Sequence, residues 1–266
     1  MKRVSAVPAI VLFACSVAGA QEIQGDRVVV PARNSSRPRL VKVETHNGGI
    51  IIKAFSGANV EVETRGHEVR RPAQTKDGTM HRINLPPTGL EVEEEDNVVT
   101  VRLNPSGDGD LVINVPVNTS VNATAHNGPI TIEGVHGEIT AQSHNGKLNL
   151  INVAGTVVAN THNEAVKVVM DQVDPSKPLS FASWNGNIDV TLPADFKSNI
   201  KLKARNGEIW SDFDVKLMPG QTVAEKNPTD KGFKIKTDST YSGTINGGGV
   251  DATFSTYNGN IYIRKH

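Results

Sequence analysis

VNATAHNGPITIEGVHGEITAQSHNGKLNL, residues 121–150, contains one hexapeptide pattern twice: AHNGPI at 125–130 and SHNGKL at 143–148. The pattern is a small residue, a flat polar side chain, Asn-Gly, one variable position and then an apolar residue. THNGGI (45–50), THNEAV (161–166), SWNGNI (183–188), ARNGEI (204–209) and TYNGNI (256–261) bring it to seven copies. Their asparagines are Asn47, Asn127, Asn145, Asn163, Asn185, Asn206 and Asn258, and the spacings from Asn127 to Asn206 are 18, 18, 22 and 21 residues. A second turn signal falls between copies, GVHGEI near Gly137 and NVAGTV near Gly155. A period near 20 with two turns in it marks a repeat architecture.

Between the turns, apolar and polar residues alternate. Val121, Ala123, Ala125, Ile130 and Ile132 fall on one face, and Asn122, Thr124, Thr131 and Glu133 on the other. Period-two patterning predicts strands with one buried face. Helical three-and-four spacing is absent, and Gly recurs too often for a helix. The expected fold is all-β, a parallel β-solenoid (β-helix-like) of roughly 18–22-residue coils, with successive coils paired strand on strand at ~4.8 Å. Small inward residues before each Asn face larger ones after it, which suits a thin coil. The corner is expected to need positive φ, which Gly adopts freely and Asn tolerates. The seven asparagines are therefore read as structural corners, with amides able to bond from coil to coil.

Open coil ends attract further strands unless they are covered. Residues 21–110 are read as a β-rich N-terminal part and cap, and 111–266 as the solenoid repeats with a C-terminal cap. Residues 1–20 carry Lys2 and Arg3, an apolar run from Ala6 to Val17, and Ala18-Gly19-Ala20, the layout of a secretory signal peptide. That run is too short to span a bilayer. The sole cysteine, Cys15, lies within it, and Leu12-Phe13-Ala14-Cys15 leaves a lipid anchor as the alternative to cleavage after Ala20. The mature chain then has no cysteine and relies on burial and hydrogen bonding alone. Without Lys2 and Arg3 it carries 26 basic and 28 acidic residues, which argues against a nucleic-acid partner. No transmembrane span is expected after the signal peptide. The expected location is the periplasm, the outer membrane or the extracellular space.

Three stretches carry a family resemblance: DLVINVPVNTSVNATAHNGPITIEGVHGEITAQSHNGKL (110–148), VTLPADFKSNIKLKARNGEIWSD (190–212) and SGTINGGGVDATFSTYNGNIYIRK (242–265). With Pro116 and Pro193 preceding coils and the Asn-Gly-x-Ile corners, the chain resembles the bacterial putative-adhesin family of β-strand repeats. That family includes the head domains of putative autotransporter adhesins, a domain of unknown function. The resemblance spans about residues 40–266 and implies an exported β-solenoid and a role in adhesion. Glu164 departs from the pattern, standing where the corner Gly belongs.

The sequence offers little for catalysis. Between Val121 and Met170 the acids are Glu133, Glu138 and Glu164, which share no repeat position, whereas glycosidases need a facing carboxylate pair. EVEEED at 91–96 reads as a solvated hairpin edge. No nucleophile elbow, HExxH or phosphate loop is present. The chain is therefore read as no enzyme, with no cofactor and no metal. The position before each Asn is more informative, since parity turns it outward. It holds His46, His126, His144, His162, Trp184, Arg205 and Tyr257. Flat side chains there either cover the corner backbone or form a strip of planar donors and acceptors suited to a cell-surface glycan or an envelope protein. His126, His144, His162, Trp184, Arg205 and Tyr257 are the candidate ligand-binding column. A polysaccharide-processing enzyme on the same scaffold and a purely structural envelope component are the competing readings.

Overall fold

The computed structural model describes residues 27–34, 37–66, 89–103, 109–218, 223–229, 232–238 and 240–266. The signal-peptide segment, with Cys15, lies outside the described residues. Alternating β-branched residues and frequent corners give short strands, and there is no helix among the described residues. In chain order the first are β1 (Arg27–Val30), β2 (Arg39–Asn47), β3 (Ile50–Phe55), β4 (Val60–Gly66), β5 (Leu90–Glu95), β6 (Val98–Leu103) and β7 (Gly109–Pro116). The regular repeats supply β8 (Thr119–Asn127), β9 (Ile130–Glu133), β10 (His136–Ser143), β11 (Leu148–Thr161), β12 (Val166–Val173), β13 (Leu179–Ser183) and β14 (Ile188–Leu192). Then come β15 (Ser198–Asn206), β16 (Ile209–Ser211), β17 (Val215–Leu217), β18 (Val223–Thr229), β19 (Gly232–Asp238), β20 (Tyr241–Ile245), β21 (Val250–Asn258) and β22 (Ile261–Lys265).

Two parallel ladders carry the corners. The first runs β6, β2, β8, β10, the C-terminal half of β11, β13, β21 and β15. The second runs β7, β3, β9, the N-terminal half of β11, β12, β14, β22 and β16. β11 belongs to both and turns from one to the other around Asn152 (φ 53°) and Gly155 (φ 110°). The turn signal near Gly155 is thus a bend inside a single strand.

The motif meets itself at each step. Thr45 pairs with Ala125, Ala125 with Ser143, Ser143 with Thr161 and Thr161 with Ser183. Ser183 then pairs with Thr256, and Thr256 with Ala204. Order in space therefore departs from order in the chain. The last coil in sequence, β21 and β22, sits between the coil of β13 and β14 and the coil of β15 and β16. At the other end, β2 and β3 sit between the coil of β6 and β7 and the coil of β8 and β9.

The expected parallel β-solenoid with irregular ends is found only in part: among the described residues six of the twenty strand pairings are antiparallel, so the all-β fold has mixed orientation. None of the six involves β8 to β14; they fall at the ladder ends, on β6, β7 and β15, and among the strands beyond them. The close spacing of β5 to β6 and of β18 to β19 requires antiparallel pairing, and β5, β1, β4, β17 and β20 cover edges that bare coils would leave open.

Inward residues of both ladders form one apolar cluster. Ile130, Ile132, Leu148, Leu150, Val166 and Val168 are fully buried. Each such side chain contributes about 1.5–3 kcal/mol. Phe181 stacks on Phe254 at 5.1 Å, fixing the intercalated coil to its neighbour. At the N-terminal side the buried Arg39 guanidinium donates to the carbonyls of Val30, Pro31 and Ala58, holding β1 onto the body. Burial pushes its pKa down, and nearby Glu94 partly opposes this.

Candidate ligand-binding strip

The corner is built from the backbone outward. Gly was expected there for positive φ, which the corner glycines Gly48 (φ 101°) and Gly259 (φ 156°) adopt, but Gly146 is not in the left-handed region. Close approach is the reason instead: a Cβ on Gly146 would lie 1.8 Å from the carbonyl oxygen of Gly128. Gly128 stands in the same relation to Gly48, at 2.0 Å, and Gly259 to Gly186, at 2.3 Å. The small residues before the ring position have a role that patterning did not reveal. Ser143, Thr161, Ser183 and Thr256 donate their hydroxyls to the corner carbonyls of Gly128, Gly146, Glu164 and Gly186, at 3.0, 2.8, 2.8 and 3.0 Å. Glu164 causes no backbone strain, since neither it nor Asn163 has positive φ.

Beside this seam runs an asparagine ladder. Each amide nitrogen donates to the next side-chain oxygen: Asn127 to Asn47 at 3.1 Å, Asn145 to Asn127 at 2.8 Å, Asn163 to Asn145 at 2.7 Å and Asn185 to Asn163 at 2.9 Å. Asn258 continues it to Asn185 at 2.7 Å, and Asn206 to Asn258 at 2.8 Å. All seven corner asparagines are brought together in one chain of six bonds.

The ring position forms a third column. His46 stacks on His126 at 4.7 Å, His126 on His144 at 5.1 Å and His144 on His162 at 4.8 Å, with planes within 7° of parallel. His162 stacks on Trp184 at 5.8 Å and Trp184 on Tyr257 at 4.3 Å, and the Arg205 guanidinium lies 5.1 Å over the Tyr257 ring. The six candidate residues are therefore one stack, extended by His46. Tyr257 stands between Trp184 and Arg205 because its coil is intercalated there.

Stacking decides which part of each ring meets solvent. Trp184 is 48% exposed, yet both its faces are covered, so the indole offers its edge. The histidines are exposed in the same way. Edges rather than faces make this a hydrogen-bonding strip. Each neutral imidazole offers one donor and one acceptor. The rings lie parallel rather than converging on one point, and no cluster of three or more metal-ligating side chains occurs among the described residues.

His46, His126, His144, His162 and Trp184 of the strip form one wall of an open trough of about 1190 Å³, and Tyr257 and Arg205 lie beyond it. Thr124, Gln142, Asn160 and Ser255, two residues before the rings, line it alongside. The hairpin of β5 and β6 closes one end with Leu90, Glu91 and Arg102. Arg102 there meets Glu44 at 3.4 Å, Glu91 at 3.8 Å and Glu93 at 3.9 Å. Glu91 and Glu93 are exposed, as the reading of EVEEED as a solvated edge expects; their place at the end of the trough was not part of that reading. Glu91 and Glu93 flanking Val92 were the available sign of an outward row, but nothing in the sequence says which coil the hairpin covers.

No helix among the described residues is long and apolar enough to cross a membrane. No family model matches the chain. No curated protein matches it either. Among solved structures, a "putative cell adhesion protein" from Clostridium sporogenes is 11% identical, with 90% of this chain and 99% of that one covered at a TM-score of 0.39. A "putative adhesin" from Bacteroides fragilis is also 11% identical, with 90% of this chain and 97% of that one covered at a TM-score of 0.28.

Proposed function

We propose that the chain is an exported, non-enzymatic β-solenoid, an adhesin or cell-envelope binding protein that presents its ring strip to a glycan or a protein. Export is supported by the signal-like residues 1–20. The coil reading is supported by the register in which the motif meets itself at successive parallel steps. One observation carries the binding reading: seven planar side chains in an unbroken stack, edges outward, on strands whose other face is core. Side chains already held by stacking lose little entropy on contact. Indoles are frequent energetic centres of interfaces. Trp184→Ala is expected to weaken retention on isolated cell-envelope material at least tenfold, about 1.4 kcal/mol. Its stability should fall by no more than the lost stacking, about 0.5–1.5 kcal/mol. Retention equal to the parent's would assign the strip a purely structural role.

The carboxylates of Glu44, Glu91 and Glu93 around Arg102 favour one second reading, polysaccharide cleavage at the closed end of the trough. Sustained release of reducing ends from common polysaccharides, lost in Glu91→Gln, would replace the binding reading with that one.

A further inference from the structure

The trough is longer and larger than a small-molecule site, since such pockets run about 300–1,000 Å³, whereas this one reaches about 1190 Å³ along five stacked coils. Its ring groups repeat with the coils, at spacings between 4.7 and 5.8 Å. An occupant that uses the whole wall must repeat at that step along the stack axis, across the strands.

Three polymers can be compared. An extended peptide repeats same-side groups every ~6.7 Å, twice the strand rise, and leaves register after two coils. An α-helix has a pitch of ~5.4 Å, but helices dock by an apolar face into an apolar groove, and here Ala182 stands in a row with Thr124, Gln142, Asn160 and Ser255, so no continuous apolar stripe runs along the floor. An extended 1→4-linked pyranose chain advances by roughly one ring length per sugar, close to one coil, and turns over at each step, so that the same edge recurs at every second coil and stays near register. Each sugar hydroxyl both donates and accepts, which matches an imidazole edge carrying one donor and one acceptor. Charge points the same way. Along the middle of the trough, from His126 to Trp184, neither the wall nor the floor carries an acidic or permanently basic side chain. At the closed end three carboxylates meet one guanidinium.

Resting on the binding role assigned to the strip, we infer that the trough takes an uncharged, linear 1→4-linked glycan lying along the stack axis, about one sugar to each coil. Affinity then grows with chain length, because each added sugar meets a further ring edge, and levels off once the trough is filled. Acidic glycans are disfavoured by the carboxylates at the closed end.

The test is calorimetric titration of the mature protein with β-1,4-linked glucose and N-acetylglucosamine oligomers of increasing length, and with oligogalacturonates. The expected result is at least a tenfold gain in affinity from the dimer to the hexamer in one neutral series, with weaker binding of the acidic series. His144→Ala, in mid-strip, should flatten that gain, while His144→Gln, which keeps a donor and an acceptor, should retain more of it. Length-independent or absent binding of both neutral series overturns the inference, as does preference for the acidic oligomers. If envelope retention still depends on Trp184 in that event, the strip remains a binding surface for another ligand. If it does not, the binding role falls as well.

Discussion

At Gly146 the fold leaves no room for a methyl group. Its Cβ would sit 1.8 Å from Gly128 O and 2.4 Å from Gly128 C, and both are backbone atoms that cannot turn aside. Gly146→Ala is expected to destabilise by roughly 3 kcal/mol, the upper end of overpacking. Gly247 is the contrast, with a left-handed φ of 88° and nothing within 4 Å of a Cβ. Gly247→Ala should lose only about 1–2 kcal/mol, the local strain of that backbone. Urea unfolding of the two variants checks this, and equal midpoints would contradict the close approach. The hydroxyl seam gives a second case. Thr161→Val keeps shape but removes the donor to Gly146 O, a buried bond of 2.8 Å, and should lower stability by about 1–2 kcal/mol. The motif made these positions visible as Gly and as small residues. It did not distinguish strained φ from close approach, or small volume from a hydroxyl donor, because both alternatives select the same letters.

Across strands, side chains act as columns, and a column's middle differs from its end. Asn145 donates to Asn127 and accepts from Asn163, whereas Asn206 at the end of the ladder makes one such bond, to Asn258. Exposed side-chain bonds contribute about 0.5–1.5 kcal/mol each. Asn145→Ala should therefore cost close to twice what Asn206→Ala does. Asn145→Asp should be worse than alanine near neutral pH, since a carboxylate oxygen would face the Oδ1 of Asn127 in place of the donated N–H. Chemical denaturation of the three variants is the check, and equal losses would mean the amides do not act as a ladder. The column itself was legible from the repeat of Asn at one position. So were the strands, from Val121, Ala123 and Ala125 alternating with Asn122 and Thr124. The antiparallel closing strands were less so, because their edge-covering role depends on where the ends of the stack lie.

For the whole molecule, the informative departure is that the coil of β21 and β22 stacks between β13/β14 and β15/β16. Sequence could not give this order. Every coil presents the same corner, so Asn206 would fit on Asn185 as well as Asn258 does, and local patterning is indifferent between the two. Other contacts agree with the intercalated order, including Arg264 to Asp189 at 2.8 Å and Phe254 on Phe181. Chain termini usually exchange fast. Here the amides of Phe254 and Ile261 should be as protected as those of Ala141 in the central β10, since opening them needs much of the stack to open. Hydrogen exchange at fraying rates there would contradict the order. The binding strip inherits its continuity from the same stacking, because Tyr257 bridges Trp184 and Arg205. Its role is tested most directly by fluorescence. The sequence has two tryptophans, so Trp210→Phe leaves Trp184 as the only indole. Titrating that protein with isolated cell-envelope material should give a saturable change in Trp184 emission that tracks the amount bound. Binding with the emission unchanged would place the contact elsewhere and contradict the account.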